Sequence, residues 1–231
     1  MQHNSFSRFV KLVGNEAIEI LKNKSVLVLG VGGVGGYVCE ALARSGIGNL
    51  IIVDYDVVDY SNINRQIIAL NSTIGLKKVD VLEKRIKDIN PNCNVIKIDK
   101  FIDCDNICEL FSFKIDFFID CCDTVSTKKK VIDECLNNDI LFISSMGTGN
   151  KFDPSLLEIT DIRKTVNDPL ARIMRKYVKD SHIKKKVIVL SSKEVPMKIS
   201  DRVVGSTAFV PSSAGLLIAS YVVRKFINKK C

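Results

Sequence analysis

Ser25-Val-Leu-Val-Leu-Gly-Val-Gly-Gly-Val-Gly35 decides the architecture of this chain. Val26 to Leu29 form a short apolar run without alternation that stops at a glycine. A strand buried on both faces of a parallel sheet reads this way. From Gly33 to Ser45, Val34, Val38, Ala41 and Leu42 recur at helical spacing. In a strand, glycine turn and helix of this kind, Gly30 permits the tight turn and Gly32 lets an anion approach the backbone. Gly35 lets the helix settle on the sheet, and Gly33 sits where the helix begins. The helix N-terminus presents free N–H groups and the positive end of its dipole, a setting for phosphate. The loop specifies a nucleotide and leaves NAD, FAD and ATP open.

Outward from this stretch the order of elements stays legible. Phe6 to Lys22 reads as one helix, from Val10, Val13, Ala17 and Leu21. Leu50 to Asp54 is a second buried strand, and Lys77 to Asn90 a helix stopped by Pro91. Strands are expected at Asn94 to Asp99, Ile115 to Asp120 and Ile140 to Ser145, with a helix from Val125 to Asn137. The alternation predicts an α/β fold, a Rossmann-like, mostly parallel sheet with helices on both faces. Beyond Gly149 the pattern loosens into strands at Ser155 to Ile162 and Val187 to Leu190, a basic helix at Pro169 to Lys179 and a closing helix at Ala214 to Lys229. That part reads as a smaller antiparallel and helical C-terminal extension. Residues 1–231 are expected to form a single domain with a core at about 23–150 and the extension at about 151–231.

Composition narrows the class. Of 231 residues, 46% are hydrophobic and 26% charged, enough for a full core and against disorder. The start, Met1 to Arg8, has no apolar run of a secretory signal, and the longest apolar stretch, Ala214 to Val223, falls short of the about 20 residues a bilayer needs. A cytoplasmic protein is expected. The eight cysteines include no Cys-x-x-Cys pair, and His3 and His182 lack ligand-spaced partners, so the thiols read as reduced rather than as zinc ligands. The net charge of +8 favours an anionic partner.

The residues after the second strand separate the nucleotides. Asp54 lies at that strand's end, where an acid bonds ribose hydroxyls. Asp56, Asn62, Arg65 and Gln66 come next in the chain, then Lys78. A dehydrogenase has no use for an extra acid, an arginine and a lysine converging there, but a site that handles a triphosphate has. Arg65 can pair bidentately with phosphate oxygens, and Lys78 can place a point charge on the α-phosphate. The end of the fourth strand adds Asp120-Cys-Cys-Asp123, and Asp123 is a candidate magnesium ligand. Taken separately, Arg65 could be a surface charge and Asp123 a helix N-cap.

Gly30-x-Gly-Gly-x-Gly35, Asp54-x-Asp56, Ser61-Asn-x-Asn-Arg-Gln66, Gly75-x-x-Lys78, Ile89-Asn-Pro91 and Asp120-x-x-Asp123 together resemble the ubiquitin-activating-type (ThiF and MoeB-like) adenylyltransferase superfamily. The resemblance implies ATP with magnesium and adenylation of a carboxylate. It places Asp54 on the ribose, Asn62, Arg65, Gln66 and Lys78 around the phosphates, and Asp123 on magnesium. Arg8 would correspond to an arginine that reaches the neighbouring subunit's ATP in a homodimer. Arg65, Lys78 and Asp123 are then the catalytic candidates.

Sulfur-carrier adenylyltransferases usually carry two zinc Cys-x-x-Cys pairs, and the ubiquitin-activating branch a catalytic cysteine in an added domain. Neither is present, and Cys231 ends the chain. Ser144-Ser-Met-Gly-Thr-Gly-Asn-Lys-Phe-Asp-Pro154, Ile159-Thr-Asp-Ile-x-Lys-Thr-x-x-Asp-Pro169 and Ala208-Phe-Val-Pro-Ser-x-Ala-Gly215 instead resemble the tRNA threonylcarbamoyladenosine dehydratases. That resemblance implies tRNA carrying threonylcarbamoyladenosine as partner, sulfur-relay accessory proteins as further partners, and ring closure with loss of water. Between Ser192 and Ser206 this chain is shorter than its relatives. Arg163, Lys164, Arg172, Arg175, Lys176, Lys179 and Lys184 to Lys186 form a basic stretch suited to a phosphate backbone. Activation of a carrier protein's C-terminus and a nucleotide-binding redox module are the competing readings.

Overall fold

A computed structural model describes residues 5–199 and 203–228. His3, Cys231 and the end of the expected closing helix at Lys229 lie outside the described residues.

One seven-stranded sheet organises the chain, in the order β3-β2-β1-β4-β5-β7-β6. The strands are β1 (Ser25–Leu29), β2 (Asn49–Val53), β3 (Asn94–Ile98), β4 (Phe117–Asp120), β5 (Leu141–Ser145), β6 (Leu157–Asp161) and β7 (Ile188–Ser192). All neighbours run parallel except β6, which is antiparallel to β7. The helices are α1 (Ser7–Val13), α2 (Asn15–Lys22), α3 (Gly35–Arg44), α4 (Lys78–Ile89), α5 (Val125–Asn137), α6 (Pro169–Asp180) and α7 (Phe209–Phe226).

The apolar run of β1 is explained by its two faces. Val26 and Val28 pack into one core with Leu42 of α3, Leu82 of α4 and Ile218 of α7. Leu27 and Leu29 pack into the other with Val131 of α5 and Met174 of α6. Each layer buries one half of the strand, so neither half can be polar. None of the helices is long and apolar enough, among the described residues, to cross a membrane.

Three expectations need correction. The N-terminal segment is two helices, because Gly14 takes φ 88° between α1 and α2, a conformation costly for any residue with a Cβ. The helix after the glycine loop starts at Gly35, two residues later than expected, leaving Gly33 in the loop. The closing helix starts at Phe209, five residues earlier than expected. Pro211 falls in its first turn, where no N–H is required. The expected antiparallel extension is present, with β7 continuing the main sheet from β5 and β6 running antiparallel at its edge.

Candidate active site

The chain order reverses direction in the sheet between β1 and β4, and clefts in open α/β sheets form beyond such strand ends. A cavity of about 360 Å³ opens there. Gly30, Gly32, Gly33, Asp54, Asp56, Asn62, Arg65, Gln66, Lys78 and Asp123 all line it. Gly35 lies behind the wall and Arg8 elsewhere, on the exposed surface of α1.

The glycine loop is built by close approach. Gly30 has φ +85°, and a Cβ there would come within 2.9 Å of the Cys121 carbonyl. A Cβ at Gly35 would lie 1.9 Å from the Gly30 carbonyl oxygen, so only glycine lets α3 start against the loop. Asp54 braces the same loop, its Oδ2 accepting the Val31 N–H at 2.8 Å and its Oδ1 the Asp56 N–H at 3.0 Å.

Opposite the loop, a tight turn presents the polar cluster. The Asp59 carboxylate accepts the Ser61 N–H, and Oδ1 of the buried Asn62 accepts the Asp59 N–H at 3.1 Å. Part of Asn62 is therefore committed to shaping this turn. Arg65 Nη1 donates to the Ser61 carbonyl at 2.6 Å and to Asn64 Oδ1, which leaves its other guanidinium donors for the cleft. Gln66 is buried, sits against Gly32, and its Oε1 has no hydrogen-bond partner among the described residues. An orphaned buried oxygen carries a desolvation cost that a bound ligand or water removes. Lys78, with a 6% exposed side chain, donates to Asp56 Oδ2 at 2.7 Å.

Asp123 lies just past β4 on the exposed rim. It does not cap α5: the N-cap is Thr124, without a side-chain bond. No donor among the described residues engages its carboxylate. The Tyr55 phenol is held above its ordinary pKa first by Asp56, then by burial, Asp123 and Asp54, which marks a convergent negative field. Magnesium bridging phosphates needs only one or two carboxylates besides substrate oxygens, and this donor set fits it.

Sequence reasoning missed the wall formed by Tyr55, Lys100, Phe101 and Ile102, and by Thr148, Ser206 and Pro211. Tyr55 and Phe101 meet edge to face at 4.8 Å and line the cavity with Asp54. No motif marks the residues after β3. Cys121 and Cys122 also line the cleft, but burial pushes the Cys121 thiol up to about 12 and the Cys122 thiol higher. Thiols held protonated in this way are poor nucleophiles.

The basic stretch divides. Arg163 is tied to Asp161 at 2.9 Å and to the Ile183 and Lys185 carbonyls; Arg175 donates to Thr165; Lys185 pairs with Asp139 at 2.6 Å. Lys164, Arg172, Lys176, Lys179, Lys184 and Lys186 are exposed.

Fold and cleft define an α/β nucleotide-binding protein whose polar residues converge at the strand ends. The chain belongs to the ThiF family, whose model matches residues 6–230. It is 45% identical to a tRNA threonylcarbamoyladenosine dehydratase of Bacillus subtilis, across 97% of this chain and 95% of that protein. It is 38% identical to the Escherichia coli dehydratase across 75% of this chain and 65% of the relative. The crystal structure of the E. coli enzyme, TcdA, in complex with ATP superposes with a TM-score of 0.91 at 34% identity, covering 97% of this chain and 94% of the other.

Proposed function

We propose that this protein is an ATP-dependent tRNA threonylcarbamoyladenosine dehydratase. The observation that carries the reading is likeness to dehydratases over nearly the whole chain, joined to a cleft that contains every polar residue expected around ATP except Arg8. ATP is the co-substrate. The threonyl carboxylate of the modified adenosine beside the anticodon attacks the α-phosphorus and pyrophosphate leaves. A nucleophile within the substrate then displaces AMP, and the nucleoside has lost the elements of water.

In this reading the loop amides and α3 N-terminus hold phosphate, and Asp54 takes the ribose with the lone pairs left to it. Arg65, Gln66 and Lys78 surround the triphosphate, with Asn62 shaping their turn. Arg65 and Lys78 stabilise charge developing at the α-phosphorus. Asp123 would hold Mg²⁺, which supplies charge neutralisation at the phosphates. Arg8 is exposed and does not line its own cleft, which leaves it for service to the partner's ATP in a homodimer. A cytoplasmic location and sulfur-relay accessory proteins belong to the same reading. Activation of a carrier protein for sulfur transfer normally goes with paired Cys-x-x-Cys zinc ligands, which the sequence lacks.

Nucleoside mass spectrometry tests it. tRNA bearing threonylcarbamoyladenosine, incubated with the protein, ATP and magnesium, should yield the cyclic nucleoside lighter by one water, with AMP released. An unchanged nucleoside beside a folded, ATP-binding protein would remove the tRNA substrate.

A further inference from the structure

The turn that carries Asp123 to the cleft is held from beneath by groups that do not face it. Asp120, the last residue of β4, and Lys128 of α5 both have 0% exposed side chains. Asp120 Oδ2 takes Lys128 Nζ at 3.0 Å and Ser144 Oγ at 2.5 Å. Lys128 also donates to Ser144 Oγ at 3.2 Å and the Ser145 carbonyl at 2.8 Å. The other carboxylate oxygen, Oδ1, accepts the Cys122 N–H at 3.1 Å.

Burying two charges costs about as much as their attraction returns, and apolar replacement of such a pair is often neutral or stabilising. Stability therefore does not account for this arrangement, whereas its geometric consequence is plain. The Asp120–Cys122 bond bends the chain after β4, so that the Cys121 carbonyl and Cys122 nitrogen lie where a Cβ on Gly30 would approach to 2.9 and 3.0 Å. The same bend delivers Asp123 to the rim. One buried carboxylate thus couples the ends of β1, β4 and β5.

We propose that Asp120, its charge balanced by Lys128 and Ser144, is a positioning residue that sets Asp123 and the floor of the glycine loop through its bond to the Cys122 amide. The proposal rests on the ATP–magnesium reading of the cleft and adds the device that aligns it.

Two double variants separate geometry from charge. Asp120→Leu with Lys128→Met removes the pair together, leaving no lone buried charge but no acceptor for Cys122. Asp120→Asn with Lys128→Met also lacks the pair but keeps the Oδ1 acceptor. Hydrogen exchange of the Cys122 amide in the free protein, thermal midpoint, and the magnesium dependence of ATP–pyrophosphate exchange with tRNA bearing threonylcarbamoyladenosine are compared with wild type. In the leucine variant, Cys122 should exchange at least about tenfold faster, and half-maximal magnesium should rise about tenfold at little-changed ATP KM, the scale of losing an outer support of a metal site. The asparagine variant should restore both readouts to within about threefold of wild type. Unchanged Cys122 exchange in a folded leucine variant would overturn the proposal. So would an asparagine variant that loses magnesium dependence as badly as Asp123→Asn, and that comparison stands if the leucine variant fails to fold. Absence of magnesium-dependent exchange in wild type supplied with that tRNA would instead defeat the adenylation reading, while the amide measurement would still decide the role of Asp120.

Discussion

Lys78 Nζ sits 2.7 Å from Asp56 Oδ2, with the lysine side chain 6% exposed and the aspartate 45% exposed. The ammonium is thus stored at the cleft wall, neutralised by an acid that water still reaches. A triphosphate entering the cleft offers a denser negative partner, and the lysine can share or change partners without leaving its place. In the proposed reaction its charge would act where negative charge develops. Lys78→Ala should lower ATP–pyrophosphate exchange by about 100-fold or more, as removal of a transition-state charge contact does. Arg65→Ala should do the same. Activity within twofold of wild type for both would remove the phosphate roles assigned to them.

Two glycines of one loop should fail in different ways. A Cβ at Gly35 would meet the Gly30 carbonyl oxygen at 1.9 Å, so Gly35→Ala must push α3 off β1. Overpacking of this kind costs about 1–3 kcal/mol, visible as a lower thermal midpoint. A Cβ at Gly32 meets only the Gln66 side chain at 3.5 Å, an ordinary approach. Gly32→Ala should leave the thermal midpoint close to wild type and weaken ATP binding, measured by calorimetry, because the methyl occupies the approach to the loop amides. Equal ATP affinity in Gly32→Ala would show that phosphate does not lie on this side of the loop.

These glycines also show how the sequence carries the fold and where it stops. A buried parallel strand has nowhere to put a polar residue, so Val26 to Leu29 announce themselves, and the glycine spacing reports close approaches that only a missing Cβ allows. The break at Gly14 is hidden because Val10, Val13, Ala17 and Leu21 keep a helical period across it. The start of α7 is read too late, at Ala214, because Pro211 looks like a stop, although a first turn accepts proline. Lys128 is concealed in the run Lys128-Lys129-Lys130, which looks solvated until the fold turns one of the three inward. Phe101 reaches the cleft from a loop without a motif and Thr148 from a motif with no role assigned to it, and only the strand order brings those loops together.

The cleft thiols give a chemical test of the acceptor. Burial holds Cys121 and Cys122 protonated, whereas Cys104 and Cys108 are exposed. Alkylation at pH 8 should therefore modify Cys104 and Cys108 first. Cys122→Ser should keep pyrophosphate exchange and cyclisation within about threefold, since a protonated thiol contributes no nucleophile. Formation of a mass-detectable thioester at Cys122 would reverse the argument and revive the sulfur-transfer reading.

The nine basic residues of the stretch around α6 should not behave alike towards RNA. Arg163, Arg175 and Lys185 are engaged with protein partners, and a cation already paired releases few counterions from a phosphate backbone. Arg172, Lys176 and Lys179 are exposed on α6. Asp168 begins this helix, and its Oδ2 takes the buried Lys151 Nζ at 2.8 Å, which also donates to the Gly147 carbonyl. The N-terminus of α6 is in this way tied to the loop that brings Thr148 to the cleft, so RNA lying along the helix would approach the proposed site of adenylation. Replacing Arg172, Lys176 and Lys179 together by Ala should weaken tRNA binding and flatten the log–log salt dependence, by about one unit of slope for each phosphate no longer neutralised. The thermal midpoint should hardly move. Arg175→Ala should do the reverse, lowering the midpoint through loss of its bonds to Thr165 while leaving the salt slope in place. A triple variant with the wild-type slope would place the tRNA on another face.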